Sequence, residues 1–486
     1  MAAPDSRSIL GVPTSTTAFV GRTERGPVDR PVTITSFAEF VRTFGAPTEQ
    51  CLLGSSVDDF FVNGGTTAVI VRAFNPANAV KARIDAGKAN PLSLEAKAPG
   101  TWALGLRVRV EKSSPDAALF DLRIHDGNAE ELFARLTVEN VGTVLGDGSM
   151  LVDLIGTATQ PPEPHDVPAD ARDLWTDAYS SKVINPDDVK DSDALDENAF
   201  GDPGSRRGFG ALGAEAFNLL VMPVDEAGDA VQKAVRANAA AFCRAHLAFY
   251  IVDPPAQWKT VDDATAIDSV GITGDDARYA AVYFPRVLKP NSFPASGIIA
   301  GVMARSDAAH GVWKAPAGTE AVLDGIAGLD IKKPINDRDN GRLNPIGVNC
   351  LRQFPVFGNV VWGARTMRGA DELSDIYKYI AVRRLANYIE QSLKTGLQWT
   401  VFEPNDQQLW EAVRLQTVTF MQSLFLQGAF AGATPSDAYY VTCDNTTTTI
   451  VDIENGIVNV IVGFAPVSPA EFVVLQIQAI AGRSGS

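Results

Sequence analysis

The sequence predicts a multidomain protein of mixed α/β and α+β class: a central, mainly parallel α/β sheet, a β-rich insert, and a C-terminal α+β domain. Three observations carry this expectation. Residues 217–223 (FNLLVMP), 247–253 (LAFYIVD) and 279–284 (YAAVYF) are short, continuous apolar runs separated by longer segments, as expected of strands covered on both faces. Residues 75–210 alternate apolar and polar positions between turn residues, which reads as a β-rich insert. Beyond residue 342 lie two helix-length amphipathic tracts and two β-prone runs. The expected division is 1–74, 75–210, 211–341 and 342–486.

The chain has 486 residues, 45% of them hydrophobic, enough for two or three domains with real cores. Its net charge of −16 argues against a general nucleic-acid binder, which needs clustered Lys and Arg. The four cysteines, Cys51, Cys243, Cys350 and Cys443, share no C-x-x-C spacing and read as buried thiols of a reducing compartment. No signal peptide is read at the N-terminus, and no uncharged apolar run nears the roughly 20 residues that span a bilayer.

In chain order, residues 17–21 (TAFVG) read as a strand and Ser36 as the N-cap of a helix through Phe40 and Phe44 that stops at Gly45. A second helix through Leu52, Val57 and Phe60 ends at Asn63-Gly64-Gly65, before the β-branched run 67–72. Within the insert, residues 92–96, 106–111, 119–125 and 132–139 read as strands. Residues 160–203 are rich in Pro and Asp and read as a mobile, solvated loop. A helix over 229–246 and another from residue 296 complete the βαβ pattern.

Candidate chemistry is sparse. Gly208-Phe209-Gly210-Ala211-Leu212-Gly213 fits G-x-G-x-x-G, but an acidic loop precedes it and a strand follows, so it reads as a flexible connector, not a dinucleotide turn. His125, His165, His246 and His310 lack metal-ligand spacing, and no G-x-S-x-G elbow occurs. The acidic run at 187–193 lacks the order of a calcium loop. No catalytic, cofactor or metal site is expected.

The C-terminal third holds the candidates for assembly. Over 375–396, Ile376, Ile380, Leu385, Ile389 and Leu393 form an apolar stripe, leaving Lys378, Arg383, Arg384 and Lys394 for a docking face toward an acidic partner or for an ordinary helix surface. A second helix through Trp410, Phe420 and Leu424 is core, capped by Asn405 or Asp406. Residues 457–464 and 471–480 are two β-prone runs joined by APVSP. The last of these carries Phe472, Val473, Val474, Leu475, Gln476, Ile477 and Ile480. It can fold back on its own sheet or add to the sheet of a neighbouring copy formed by 458–464 and 439–443.

Residues 66–72 behind Asn63-Gly64-Gly65, PASGIIAGVMARSDAAHGVWKAPAGTE, NPIGVNCLRQFP, VVWGART, QWTVFEPND and VGFAPVSPAEFVV together resemble the contractile tail sheath proteins of phages and phage-like injection particles. The resemblance covers the N-terminal segment and most of the chain after Phe217. It implies an inner layer made of both chain ends, an outward-facing variable insert, and exchange of the last strand between copies. It also implies a non-enzymatic subunit without cofactor, made in a bacterial cytoplasm, that polymerises helically around an inner tube and contracts to drive the tube through an envelope. The implied partners are further copies, the inner tube protein, and baseplate and terminator or cap proteins, with no nucleic acid and no membrane insertion. Relatives usually begin with a Pro-Gly-Val-Tyr-like strand, and here only MAAPDSRS precedes Ile9, which implies fewer linking strands or a specialised copy near a sheath end. A non-contracting shell or cap subunit and an α/β dinucleotide-binding enzyme are the alternatives.

Overall fold

The structure, a computed structural model, describes residues 8–48, 51–75, 80–113, 118–127, 129–192, 194–223, 229–469 and 471. The chain divides into two compact units. The larger takes in residues 13–305 and 317–375; the smaller takes in residues 8–12, Ser306–Pro316 and the described residues from Ile376 onward. No described helix is long and apolar enough to cross a membrane.

The larger unit is built on one eight-stranded sheet. Its strands are β1 (Thr17–Gly21), β2 (Val32–Ile34), β3 (Ala68–Arg72), β4 (Leu219–Val221), β5 (Phe249–Val252), β6 (Ala280–Phe284), β7 (Val348–Phe354) and β8 (Gly358–Trp362). The order across the sheet is β8-β7-β6-β5-β4-β1-β3-β2. Every pairing from β3 to β7 is parallel, and only the edges β2 and β8 run antiparallel. The apolar runs seen in the sequence are therefore the interior strands, buried along their whole length. The strands at 348–362 pair through Val282↔Val348, so the expected division at residue 342 and the unit boundary at Ile376 do not coincide. Which sheet a strand joins is a long-range choice that its own residues do not encode.

Helices cover the sheet as their patterns require. The helix α1 (Phe37–Phe44) starts where Ser36 accepts the Glu39 N–H and stops at Gly45, whose φ of 89° suits only glycine comfortably. Phe60 of α2 (Leu52–Val62) meets Phe19 edge-on at 5.4 Å. The helix α3 (Asp229–Ala245) packs Phe242 and Cys243 into the core. In α4 (Ser296–His310), Gly297 and Gly301 permit close approach to α2: a Cβ would lie 2.2 Å from the Ser56 carbonyl oxygen and 2.6 Å from that of Phe60. The unit ends at Asp375, whose buried carboxylate accepts from Arg278 Nη2 at 3.0 Å and Arg368 Nε at 3.3 Å.

The insert has its own core, formed by residues such as Ile84, Leu94, Val108, Leu122 and Leu145. Two antiparallel sheets enclose it, one of Arg83–Ala86, Leu92–Ala96 and Val152–Leu154, the other of Arg107–Lys112, Phe120–His125, Glu130–Leu136 and Ser181–Lys182. Its ends are stitched together, because Ile184 N–H donates to the Arg83 carbonyl at 2.8 Å and Asn185 accepts the Arg83 N–H at 2.8 Å.

Two expectations are corrected here, the first in part. The Pro- and Asp-rich stretch is solvated at most of its described positions, as expected, yet it is anchored: the buried Arg109 guanidinium donates to the carbonyls of Tyr179 at 2.9 Å, and of Arg172 and Leu174 at 2.6 Å each. Leu195, Ala199 and Phe200 then enter the core of the large sheet. A single arginine from a strand 63 to 70 residues away replaces the solvent that those carbonyls lack. The G-x-G-x-x-G run is no flexible connector either. It is a 3₁₀ helix, Gly208–Ala214, with Phe209 and Leu212 buried, and a Cβ on Gly208 would sit 1.9 Å from the Phe200 carbonyl oxygen. Gly208 and Gly210 serve close packing ahead of β4, without the strand-to-helix turn that cradles a pyrophosphate.

Candidate assembly surface of the smaller unit

The smaller unit is organised by two helices. Leu385 and Ile389 of α5 (Ile380–Gly396) pack on Phe420, Met421 and Leu424 of α6 (Gln407–Leu426), with Ile9 and Val312 completing the cluster. Asp406 caps α6, accepting the Leu409 N–H at 3.0 Å. At the start of α6, Leu409, Trp410 and Val413 close over Cys443.

Beside α6 lie β9 (Tyr439–Thr442) and β10 (Ile461–Phe464), paired antiparallel from Tyr439↔Phe464 to Thr442↔Ile461. The Tyr439 hydroxyl donates to Gln422 at 2.8 Å, and burial pushes its phenol up. Among the described residues these two strands have no other strand partner, and Tyr440 and Ile461 are 60% and 48% exposed. A two-stranded ribbon is marginal in water and leaves backbone donors and acceptors available for a further strand. The chain returns to the head of α5, where Tyr379 donates to the Glu471 carboxylate at 3.3 Å.

The expected exchanged strand, Phe472, Val473, Val474, Leu475, Gln476, Ile477 and Ile480, lies outside the described residues. The four basic residues do not share one face. Arg383 is buried, its Nε on Asn387 at 3.0 Å and its guanidinium 3.9 Å from the centre of the Tyr377 ring. Arg384 is buried against Asp307 in a two-pronged pair at 2.9 and 2.5 Å. Lys378 is half-buried over Tyr379, and Lys394 is exposed and paired with Glu390 at 3.0 Å. The expected apolar stripe also shifts, because the helix begins at Ile380 and Ile376 is 75% exposed ahead of it.

A residue that the sequence did not single out is Phe402. It is fully exposed at φ 71° in the turn before α6, and the only signal for it was an aromatic placed in a turn before Pro404. The four cysteines are buried and form no disulfide, and burial pushes the Cys350 thiol up to about 12. Among the described residues, no group of three or more His, Cys, Asp or Glu is placed to hold a metal. What this surface offers is backbone pairing and apolar contact.

Residues 198–367 match the phage tail sheath protein central domain, and residues 372–480 match the phage tail sheath C-terminal domain, together more than half of the chain. The chain belongs to the phage tail sheath family. In this sheath chain, the seam between the two family domains falls just before Ile376, where the last and longest segment of the smaller unit begins. The tail sheath protein of Vibrio phage KVP40 is 27% identical over 157 residues, which is 32% of this chain and 22% of that protein. The match thus spans about a fifth of that curated relative's length.

Solved structures give the fold over nearly the full chain. A chain of the anti-feeding prophage helical sheath in its contracted state is 23% identical, with TM-score 0.58 over 98% of this chain and 97% of that one. The sheath complex of the PVC extracellular contractile injection system, also contracted, gives 23% and 0.58 over 97% and 93%. The sheath tail protein Lin1278 from Listeria innocua gives 13% and 0.64 over 95% and 96%.

Proposed function

We propose that this chain is a structural, non-enzymatic subunit of a contractile sheath, polymerising helically around an inner tube and shortening to drive that tube through a target envelope. The observation that carries the reading is the β9–β10 ribbon, which has no further strand partner among the described residues and sits in the segment matched by the sheath C-terminal domain. The β-prone run 472–480 follows it and, donated to the ribbon of the next copy, supplies the missing strand. A donor and an acceptor on different surfaces make a heterologous contact, which propagates as a helix. Main-chain bonds of that kind can persist while rigid bodies rotate about them, so the lattice can shorten without coming apart. The driving free energy then comes from the interfaces that subunits form in the contracted lattice, with no nucleotide or metal.

The partners in this reading are further copies, the inner tube protein, the baseplate, and terminator or cap proteins, assembled in a bacterial cytoplasm as part of a phage tail or tail-like particle. Of the basic residues, Lys378 and Lys394 are the two placed to reach a partner, since Arg383 and Arg384 are buried. The insert, closed at its neck and built on its own core, is the outward-facing module.

Removing residues 471–486 tests the reading. The truncated chain is expected to stay folded and fail to polymerise, seen by negative-stain imaging and sedimentation; normal tubes from it would refute strand donation. A second reading, a non-contracting end subunit, draws on the likeness to a chain of the anti-feeding prophage baseplate, with TM-score 0.59. Imaging separates the two: a sheath subunit gives two lattices, extended and contracted, and an end subunit gives one.

A further inference from the structure

Five of the exposed apolar side chains of the smaller unit lie on two segments joined at the N-terminal end of α6. Phe402 is 101% exposed, beside Val401 at 60%. The Asn405 side-chain amide donates to the Ile457 carbonyl at 3.0 Å and accepts from the Trp410 indole at 2.8 Å. The first bond ties the turn at 401–406 to the segment around the short helix α7 (Ile450–Glu454), where Ile450, Val451 and Ile457 are 75%, 64% and 45% exposed, and the second fixes it to α6. A large aromatic fully in water is unfavourable, and so is a left-handed backbone for a residue other than glycine. Phe402 carries both, with φ 71°.

Charge narrows what covers this face. Glu403, Asp406, Asp452 and Glu454 border it. Residues 397–471 hold eight acidic side chains and a single cation, Arg414. The lysines of the unit's described residues, Lys314, Lys378 and Lys394, all lie on the segments 306–316 and 376–396. Pairing of the face with itself would set acid against acid. Pairing with the lysine-bearing segments of another copy sets opposite charges together, and it repeats head to tail.

We propose that the Phe402 face docks on a second copy of this chain, its acidic border meeting the segments that carry Lys314, Lys378 and Lys394. The proposal rests on the sheath reading above and adds to it a side-chain contact separate from the exchanged strand. Phe402 is the anchor, held in its strained turn by the Asn405 bonds, and the carboxylates fix the direction of stacking.

The test uses the full-length chain and follows polymer formation against concentration by sedimentation and negative stain. Phe402→Gly relaxes the left-handed turn, so the melting temperature is expected to hold or rise, while the concentration needed for polymers rises roughly tenfold or more. Reversing the border with Glu403→Lys and Glu454→Lys is expected to weaken assembly, and adding Lys378→Glu and Lys394→Glu to that same chain to restore it. Polymers of Phe402→Gly at the wild-type concentration would overturn the proposal. So would a charge-swapped chain no better than the border-reversed one, or a Phe402→Gly defect seen only when the inner tube protein is added, which would assign the face to the tube. Absence of polymer from the wild-type chain itself would remove the sheath reading, and is distinguishable from these outcomes because they all require a wild type that assembles.

Discussion

Two of the sheets of this protein, the eight-stranded one and the β9–β10 ribbon, are opposites. In the larger unit, β1, β3, β4, β5 and β6 are buried at every position, and antiparallel edge strands end the sheet. In the smaller unit, β10 has no buried residue and the ribbon stops at two strands. A sheet of the first kind is finished within one chain. One of the second kind retains exposed Tyr440 and Ile461 beside backbone groups ready to pair, which is how a chain keeps its stability and its capacity to polymerise in separate places.

Substitutions that strike one sheet and spare the other sharpen the contrast. Phe19→Ala removes a ring packed on Phe60 at the middle of the large sheet and is expected to lower stability by about 4 kcal/mol in chemical denaturation. Tyr440→Ser, on the open ribbon, is expected to shift monomer stability by under about 0.5 kcal/mol yet reduce assembly. Equal losses of monomer stability would erase the distinction.

The same logic divides the basic residues. Arg384→Ala removes the two-pronged bond to the buried Asp307, with an expected cost of about 3 kcal/mol, whereas Lys394→Ala breaks only an exposed helical pair and costs about 0.3 kcal/mol. Thermal melts of the two variants decide this directly; an Arg384→Ala chain as stable as wild type would show that the Asp307 pair is dispensable.

A smaller and pH-dependent effect belongs to the larger unit. Burial raises the Asp59 carboxyl from 3.8 to about 6, against the opposing pull of Lys289 at 2.6 Å. Because the folded pKa lies above the unfolded one, its contribution is fully present below about pH 4 and is lost as pH rises through about 6. The difference corresponds to roughly 2 to 3 kcal/mol. Asp59→Asn is expected to flatten the stability profile between those values, and an unchanged slope would show that another group sets it.

The fold was legible where local pattern and burial agree. The runs at 247–253 and 279–284 could only be interior strands, and Ser36 and Asp406 cap the helices that they precede. What was not legible depends on partners far along the chain. Nothing near Arg384 announces Asp307, 77 residues earlier, so a buried cation read as a surface one. Nothing in the Pro- and Asp-rich stretch announces Arg109, which collects its carbonyls. Of the assembly surface, the two β-prone runs were visible, while Phe402 was not, because exposure and a left-handed φ are properties of the folded turn.

A high-resolution map of the assembled polymer is the most direct test of the claim that each smaller unit is completed by its neighbour. The expected density for residues 472–480 lies as an added strand along the β9–β10 ribbon of the adjacent copy. Density for that segment confined to its own copy, with the neighbouring ribbon still two-stranded, would contradict the account.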